Sequence, residues 1–252
     1  MSPRRTRIAA AAAAVAALAL APRHAAGAVP WSAANKLFGT ATKNGPLPGG
    51  VELTTFNHTC GTPPCVVTQI HVPSIYPQGA CPWDWENGRL RVYIDGEAAA
   101  SIDVALLEIA HVGSRAATGD NPPTDGSPFG HDLFGKTARS GGVYSTVRIP
   151  FGVSIRTTIT APPTCATGNS IFWFIIRGIE AMPVNLGDDL VLPVGARLQV
   201  ARISNQTVQP LEFVTIASQP ANVAGALLAV DIDAMSTDEN FLEACFRFYP
   251  DG

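Results

Sequence analysis

The sequence carries little charge and has few long apolar runs. Only 15% of its 252 residues are charged, and no cluster of lysine or arginine follows the first few positions. The longest apolar run, residues 8–21, is shorter than the roughly 20 residues that a helix needs to cross a bilayer. These shortages argue against a nucleic-acid-binding surface and against a membrane-spanning helix.

The first 28 residues have the composition of a secretory signal peptide. Three arginines precede the apolar run, and Ala26-Gly27-Ala28 fits an A-x-A cleavage motif. We predict that residues 1–28 are removed and that the protein is secreted; a retained anchor is the alternative. Removal takes four of the 17 basic residues, so 13 remain against 20 acidic ones, a net charge of −7. Such an acidic chain is not expected to bind nucleic acid or, once the signal is removed, a membrane.

Cysteine is also scarce, with five residues: Cys60, Cys65, Cys81, Cys165 and Cys245. In an exported protein, cysteines are expected to form disulfides. Cys60 and Cys65 enclose a short Gly-Thr-Pro-Pro turn, which predicts a local bridge. Zinc is the alternative, but no His pair follows at ligand spacing, and we expect neither a metal nor a cofactor. The odd number leaves one thiol without a partner in the chain.

Glycine, proline and β-branched residues are abundant and predict an all-β fold with tight turns. The clearest pattern is Leu90, Val92 and Ile94 alternating with polar residues before Asp95-Gly96, a hairpin signal. Further strands are predicted at 51–56, 66–72, 102–106, 143–150, 153–160 and 171–180, and a helical turn within 106–112. Many short strands at regular spacing indicate a jelly-roll β-sandwich.

The turn sequence has a second copy at residues 247–252, where Arg-Phe-Tyr-Pro-Asp-Gly matches residues 91–96 at four of six positions. We interpret residues 51–183 as a first jelly-roll domain, preceded by a lead-in arm at 29–50 with a helical turn around 32–38. Residues 184–252 then form an incomplete second jelly roll. Its predicted strands are 188–192, 197–204, 212–217, 226–233 and 241–249. A chance match of the two turns is the alternative.

Several segments resemble, in their order along the chain, those of one known family. They are Pro64-Cys65-Val66-Val67-Thr68-Gln69-Ile70, Leu90-Arg91-Val92-Tyr93-Ile94-Asp95-Gly96-Glu97, Ser101-Ile102-Asp103-Val104, Tyr144-Ser145-Thr146-Val147-Arg148-Ile149-Pro150-Phe151, Ser154-Ile155-Arg156, and Phe241-Leu242-Glu243-Ala244-Cys245 with the final Asp-Gly. The family is the domain-of-unknown-function family 2961, part of which is classed as glycoside hydrolase family 172. The similarity covers residues 60–252.

The resemblance implies two tandem jelly rolls, a homo-oligomer such as a trimer, and action on glycans of the fructofuranose or arabinofuranose type. The family's catalytic carboxylate follows the second Asp-Gly turn, where this chain ends, so no catalytic residue is transferred. We therefore expect an exported, glycoside hydrolase-like protein that is truncated and lacks the catalytic carboxylates. A non-catalytic carbohydrate-binding module or an oligomeric structural module is the alternative.

The residues themselves offer few candidates for chemistry. Trp83 and Trp85 suit stacking on sugar rings, and Phe129 and His131 suit a pocket in the long polar loop 113–142. Structural packing is the alternative for all four, and glycan is the expected partner.

Carboxylates and sequons complete the set of candidates. The pairs Asp188–Asp189 and Asp231–Asp233 are candidates for the two carboxyls that a glycosidase needs, but we favour their interpretation as solvated strand ends. The sequons at Asn57 and Asn205 are candidate glycosylation sites if the source is a eukaryote.

Overall fold

The computed structural model has two antiparallel β-sheets that share one apolar core, which confirms an all-β sandwich. It describes residues 32–73, 75–76, 87–110, 133–136, 142–163, 170–186, 190–204, 206–209, 212–220, 223–230, 232, 247 and 249. No helix among these residues is long and apolar enough to cross a membrane. The signal peptide predicted at 1–28 lies outside the described residues.

Eleven strands and one 3-10 helix form the sandwich in the part of the chain that the structure describes. The strands are β1 Lys36–Leu47, β2 Glu52–Thr59, β3 Cys65–Val72, β4 Ile75–Tyr76, β5 Arg89–Ile94, β6 Ile102–Ala105, β7 Phe134–Lys136, β8 Val143–Ser145, β9 Ile149–Phe151, β10 Ser154–Thr160 and β11 Ser170–Glu180. The 3-10 helix, Leu107–Ala110, follows β6. The larger sheet has the order β1-β11-β3-β8-β7, with β4 on β11 and β9 on β3, and the smaller sheet has the order β2-β10-β5-β6.

The strand pairs are nested. The first strand pairs with the last, so Lys36 lies opposite Glu180. The second strand pairs with the second-last, so Glu52 lies opposite Thr160. Most neighbours within a sheet therefore come from distant parts of the sequence.

The tight turn predicted at Asp95-Gly96 is confirmed, but it does not join the two strands directly: β5 and β6 pair from Val92 opposite Ile102, so residues 93–101 connect them. Leu90, Val92 and Ile94 alternate into the core of the sandwich, with exposures of 2%, 0% and 0%. Asp95 and Gly96 both have positive φ, 53° and 79°, as the two central residues of a type I′ turn require. The amide of Glu97 then donates to the carbonyl of Ile94 at 3.1 Å, which closes the turn.

The local disulfide predicted between Cys60 and Cys65 is also confirmed. Their sulfur atoms are bonded, with Cα atoms 6.0 Å apart. The bridge closes the turn between β2 and β3, where the chain passes from the smaller sheet to the larger one. The remaining cysteines lie outside the described residues.

Residues 36–47 do not form an arm as the sequence pattern suggested. They are strand β1, which pairs along almost its whole length with β11. The sequence does not indicate this strand, because β1 lies at the edge of the sheet and buries few large side chains, chiefly Phe38 and Leu47. A turn at residues 33–34, not a helix, precedes the strand.

The prediction of strands after residue 184 is wrong for the part of that region that the structure describes. None of its described residues belongs to a strand, and Asn185 and Val191 form an isolated bridge. We call residues 190–204 the strap, because they lie against the sandwich without joining a sheet. Leu198 and Val200 pack against the core, and the amide of Val200 donates to the carbonyl of Ser101 at 3.1 Å. Whether residues 184–252 form a separate domain stays a prediction.

Candidate functional site

The outer face of the smaller sheet carries a continuous set of charged and hydroxyl side chains. Strand alternation sends the apolar residues of β5 into the core and leaves Arg89, Arg91 and Tyr93 on the other face. The register places Arg91 between Thr158 of β10 and Asp103 of β6. We call this set the Glu52 face; its members are Glu52, Arg89, Arg91, Tyr93, Asp103, Arg156 and Thr158.

Glu52 is the acceptor at the centre of the face. Its Oε1 accepts hydrogen bonds from the hydroxyl of Tyr93 at 2.7 Å and from Oγ1 of Thr158 at 2.6 Å. Its Oε2 accepts from Nη1 of Arg91 at 2.9 Å. The donors come from β5 and β10, so one carboxylate at the start of β2 joins three neighbouring strands.

Asp103 forms the second acidic position. Its Oδ2 accepts from Nε of Arg91 at 3.1 Å, and its Oδ1 accepts from Nε of Arg89 at 2.8 Å. Arg91 therefore bridges the two carboxylates across the sheet. Such charge-assisted bonds fix the side chains more strongly than neutral ones do.

Arg156 closes the face on the side of Tyr93. Its guanidinium carbon lies 3.7 Å from the centre of the Tyr93 ring, a cation–π contact. Its Nη1 lies 3.8 Å from Oε1 of Glu52. With 40% of the Arg156 side chain exposed, some of its N–H donors face solvent.

The electrostatics of the face keep Glu52 ionised. Partial burial on its own would raise the pKa of Glu52. The hydrogen bonds from Thr158 and Tyr93 and the positive charge of Arg91 outweigh that effect, so the pKa lies below its ordinary value of 4.5. Burial and the bond to Glu52 raise the pKa of Tyr93, so its phenol stays protonated and donates.

These protonation states define what the face can do chemically. An ionised carboxylate only accepts hydrogen bonds and an arginine only donates them. Because Glu52 is 33% and Asp103 41% exposed, both carboxylates have lone pairs open to a ligand. The face can therefore bind a polar ligand, whereas acid catalysis at neutral pH would need a carboxyl with a raised pKa.

A second polar pair lies between the two sheets. Nε2 of His58 lies 2.9 Å from Oε1 of Glu180, whose side chain is 9% exposed. The His58 ring stacks on Phe38 with centroids 4.1 Å apart, and the edge of Phe151 faces both rings. Enclosed in this way, the pair fastens β2 to the end of β11 and is not an open binding surface.

Most residues singled out from the sequence lie outside the described residues: Trp83, Trp85, Phe129, His131, Asp188, Asp189, Asn205, Asp231 and Asp233. Of the two sequon asparagines, Asn57 is described, and it lies exposed on β2. The Glu52 face was not identified from the sequence. Its signal was the polar half of the alternation in β5, which by itself is also expected of any solvated strand.

Comparison with protein-family models and with curated proteins finds no match for this chain. The resemblance to the family that contains glycoside hydrolases therefore stays a prediction, supported by the quoted segments alone.

Proposed function

We propose that the protein is an exported jelly-roll module that binds carbohydrate on the Glu52 face without hydrolysing it. The observation that carries this proposal is the Glu52 carboxylate, which donors from two neighbouring strands hold ionised and oriented on an open sheet face. A site of this kind is built before any ligand arrives, so little conformational freedom is lost on binding.

The strand order supports the jelly-roll assignment. Both β8 and β9 pair with β3, and they count as one interrupted strand. The larger sheet then has the principal order β1-β11-β3-β8/β9 beside β2-β10-β5-β6. Eight strands in two sheets with nested pairing are typical of a jelly roll. The partial second jelly roll implied by the resemblance is not part of this proposal.

Export is supported by two independent features. One is the n-region, apolar run and cleavage motif of residues 1–28. The other is the Cys60–Cys65 disulfide, a bond that persists in oxidising compartments.

The chemistry of the face favours a neutral polyhydroxyl ligand. Three guanidinium groups and two carboxylates nearly balance in charge, which disfavours strongly anionic ligands such as phosphates. Neighbouring sugar hydroxyls can donate to a carboxylate and accept from an arginine at the same time. Sugars therefore match the alternating donors and acceptors of the face.

The test is binding of the purified protein to a glycan array, followed by titration calorimetry with the best ligand. We expect Glu52→Gln to weaken binding about tenfold or more, since it removes a charged hydrogen-bond acceptor. Tyr93→Phe, which deletes one hydroxyl, is a second variant in case Glu52→Gln disturbs the sheet. Arg177→Gln, on the other sheet, is the matched control and should bind like the wild type.

Three results would contradict the proposal. The first is a protein that binds no glycan. The second is a glycan that binds the wild type and both face variants equally. The third is release of free sugar from the bound glycan, which would restore the hydrolase interpretation.

A further inference from the structure

We infer that Asn57 is an N-linked glycosylation site at the rim of the Glu52 face. This inference rests on the proposed export and on a eukaryotic source, because the modification occurs in the eukaryotic secretory pathway. It does not depend on whether the face binds a glycan ligand.

Strand alternation presents both recognition residues of the sequon to solvent. Within β2, Asn57 and Thr59 are exposed, whereas His58 between them turns inward to Glu180. None of the hydrogen bonds of the described residues uses the side-chain amide of Asn57. A sugar on its nitrogen would therefore displace no hydrogen bond among the described residues.

A β-bulge determines which residues of β2 face the core and which face solvent. The register between β2 and β10 shifts where Thr157 lies opposite Phe56 and Thr158 lies opposite Thr54. The extra residue, Thr55, bonds to Thr157 through its hydroxyl at 2.8 Å. Beyond the bulge, Phe56 and His58 face the core, so Asn57 points outward.

Among the strands that the structure describes, the one that carries Asn57 lies at the edge of its sheet. Strand β2 is the first in the order of the smaller sheet, with β10 as its neighbour on one side. Asn57 lies opposite Arg156, which in turn lies opposite Tyr93. An attached glycan would stand beside the Arg156 end of the Glu52 face.

The test is secretion from a eukaryotic host, with intact mass measured before and after peptide N-glycosidase F. We expect the wild type to carry a glycan that the enzyme removes, and the peptide that contains Asn57 to be one of its attachment sites. Asn57→Gln and Thr59→Val should both lose that glycan. Thr54→Val is the control, because it changes an exposed threonine of the same strand outside the sequon. Asn57→Gln in an Asn205→Gln background separates the two sequons.

The chain is produced in two forms, one with its own residues 1–28 and one with residues 29–252 behind an established signal peptide. If only the form with the established signal peptide is secreted, the proposed export is contradicted. The secreted protein then still shows whether Asn57 is glycosylated. A secreted second form with an unmodified Asn57 peptide overturns the inference.

Discussion

At the scale of single residues, the buried polar side chains that the structure describes have hydrogen-bond partners, except His71. Glu108 accepts a hydrogen bond from the amide of Ala105 at 2.6 Å, and Glu180 is paired with His58. Among the described residues, Nε2 of His71 is the buried side-chain polar atom without a hydrogen-bond partner. Burial, and then the positive charge of Arg177, lower the pKa of His71 below its ordinary value of 6.5. The neutral ring is thus the form that fits the folded protein.

This exception makes stability depend on pH. Below pH 6.5, the unfolded chain binds a proton at residue 71 that the folded protein resists, so the free energy of unfolding falls as pH falls. We expect His71→Phe to remove this loss, since phenylalanine does not titrate and keeps an aromatic edge toward Tyr144. Removing the unpaired nitrogen should also stabilise the protein by about 1 kcal/mol at neutral pH.

Urea unfolding of both proteins at several pH values between about 5 and 8 measures this effect. The quantity of interest is the difference in the free energy of unfolding between variant and wild type at each pH. An identical pH dependence in the two proteins would contradict the assignment.

Gly178 provides a second test at this scale. A Cβ at this position would overlap the ring of Phe38 and the carbonyl oxygen of Val66. His58 stacks on Phe38 with ring centroids 4.1 Å apart, which restricts the movement of the Phe38 ring. We expect Gly178→Ala to cost roughly 1–3 kcal/mol, the usual penalty of overpacking.

Gly195→Ala is the matched control, since an added Cβ there meets nothing within 4 Å. Its free energy of unfolding should stay within about 0.5 kcal/mol of the wild type in the same denaturation experiment. Equal effects of the two substitutions would show that the Phe38 ring moves aside and makes room for the added methyl group.

At the scale of elements, the strap is held to the sandwich by two arginines of different importance. Nε of Arg202 donates to Oε1 of Glu108 at 2.6 Å, and the Glu108 side chain is 3% exposed. Arg197, 40% exposed, lies 2.9 Å from Glu97. Glu97 also accepts from Ser101 and from the amide of Ile94, whereas Oε1 of Glu108 depends on Arg202.

We therefore expect Arg202→Ala to cost about 3 kcal/mol, because it removes the hydrogen-bonded charge partner of the buried Glu108 and leaves only the longer ion pair to Arg89, at 3.9 Å, among the described residues. Arg197→Ala should cost less than about 1 kcal/mol, the typical value of an exposed pair. Chemical denaturation of the two variants measures both losses. If they are equal, the strap does not depend on Glu108.

The elements that the sequence predicts best are those whose apolar side chains alternate into the core. Strands β3, β5, β10 and β11 were placed within one or two residues for this reason. The strands predicted after residue 184 show the limit of such patterns. A β-branched segment forms a strand only if another strand pairs with it, and periodicity within one segment does not report on a partner.

The Glu52 face could not be predicted for a related reason. Its residues lie on β2, β5, β6 and β10, up to 106 positions apart in the chain for the bond between Glu52 and Thr158. Only the register of the strands brings them together. The Thr55 bulge contributes to that register, and no simple sequence pattern marks it.

At the scale of the whole molecule, the fold depends on pairs that close over long stretches of chain. Strand β1 joins the larger sheet through its pairing with β11, and the amide of Val200 in the strap donates to the carbonyl of Ser101 just before β6. A boundary at residue 183 would cut the strap from the sandwich and leave Glu108 without Arg202. The sandwich therefore makes contacts with residues that the sequence pattern assigns to the second domain.

Acid stability is a property of the whole molecule in which the Glu52 face and the hairpin turn act together. The pKa of Glu97 lies below 4.5, like that of Glu52. Burial would raise it, but bonds from Ser101 and the Ile94 amide and the charge of Arg197 outweigh that effect. Since folding depresses both values, the unfolded state binds more protons as pH falls below 4.5. Stability present at neutral pH is then lost as pH falls through the folded-state values.

We expect Glu52→Gln to be less stable than the wild type at pH 7 and to lose less stability between about pH 5 and pH 3, because glutamine does not titrate in this range. Thermal unfolding across this interval measures the slope of stability against pH. Thr54→Val, which changes an exposed side chain of the same strand that does not titrate in this range, is the control and should keep the wild-type slope. A wild-type slope in Glu52→Gln would mean that the bonds from Tyr93, Thr158 and Arg91 do not hold the carboxylate in solution. The same result would remove the physical basis of the proposed binding face.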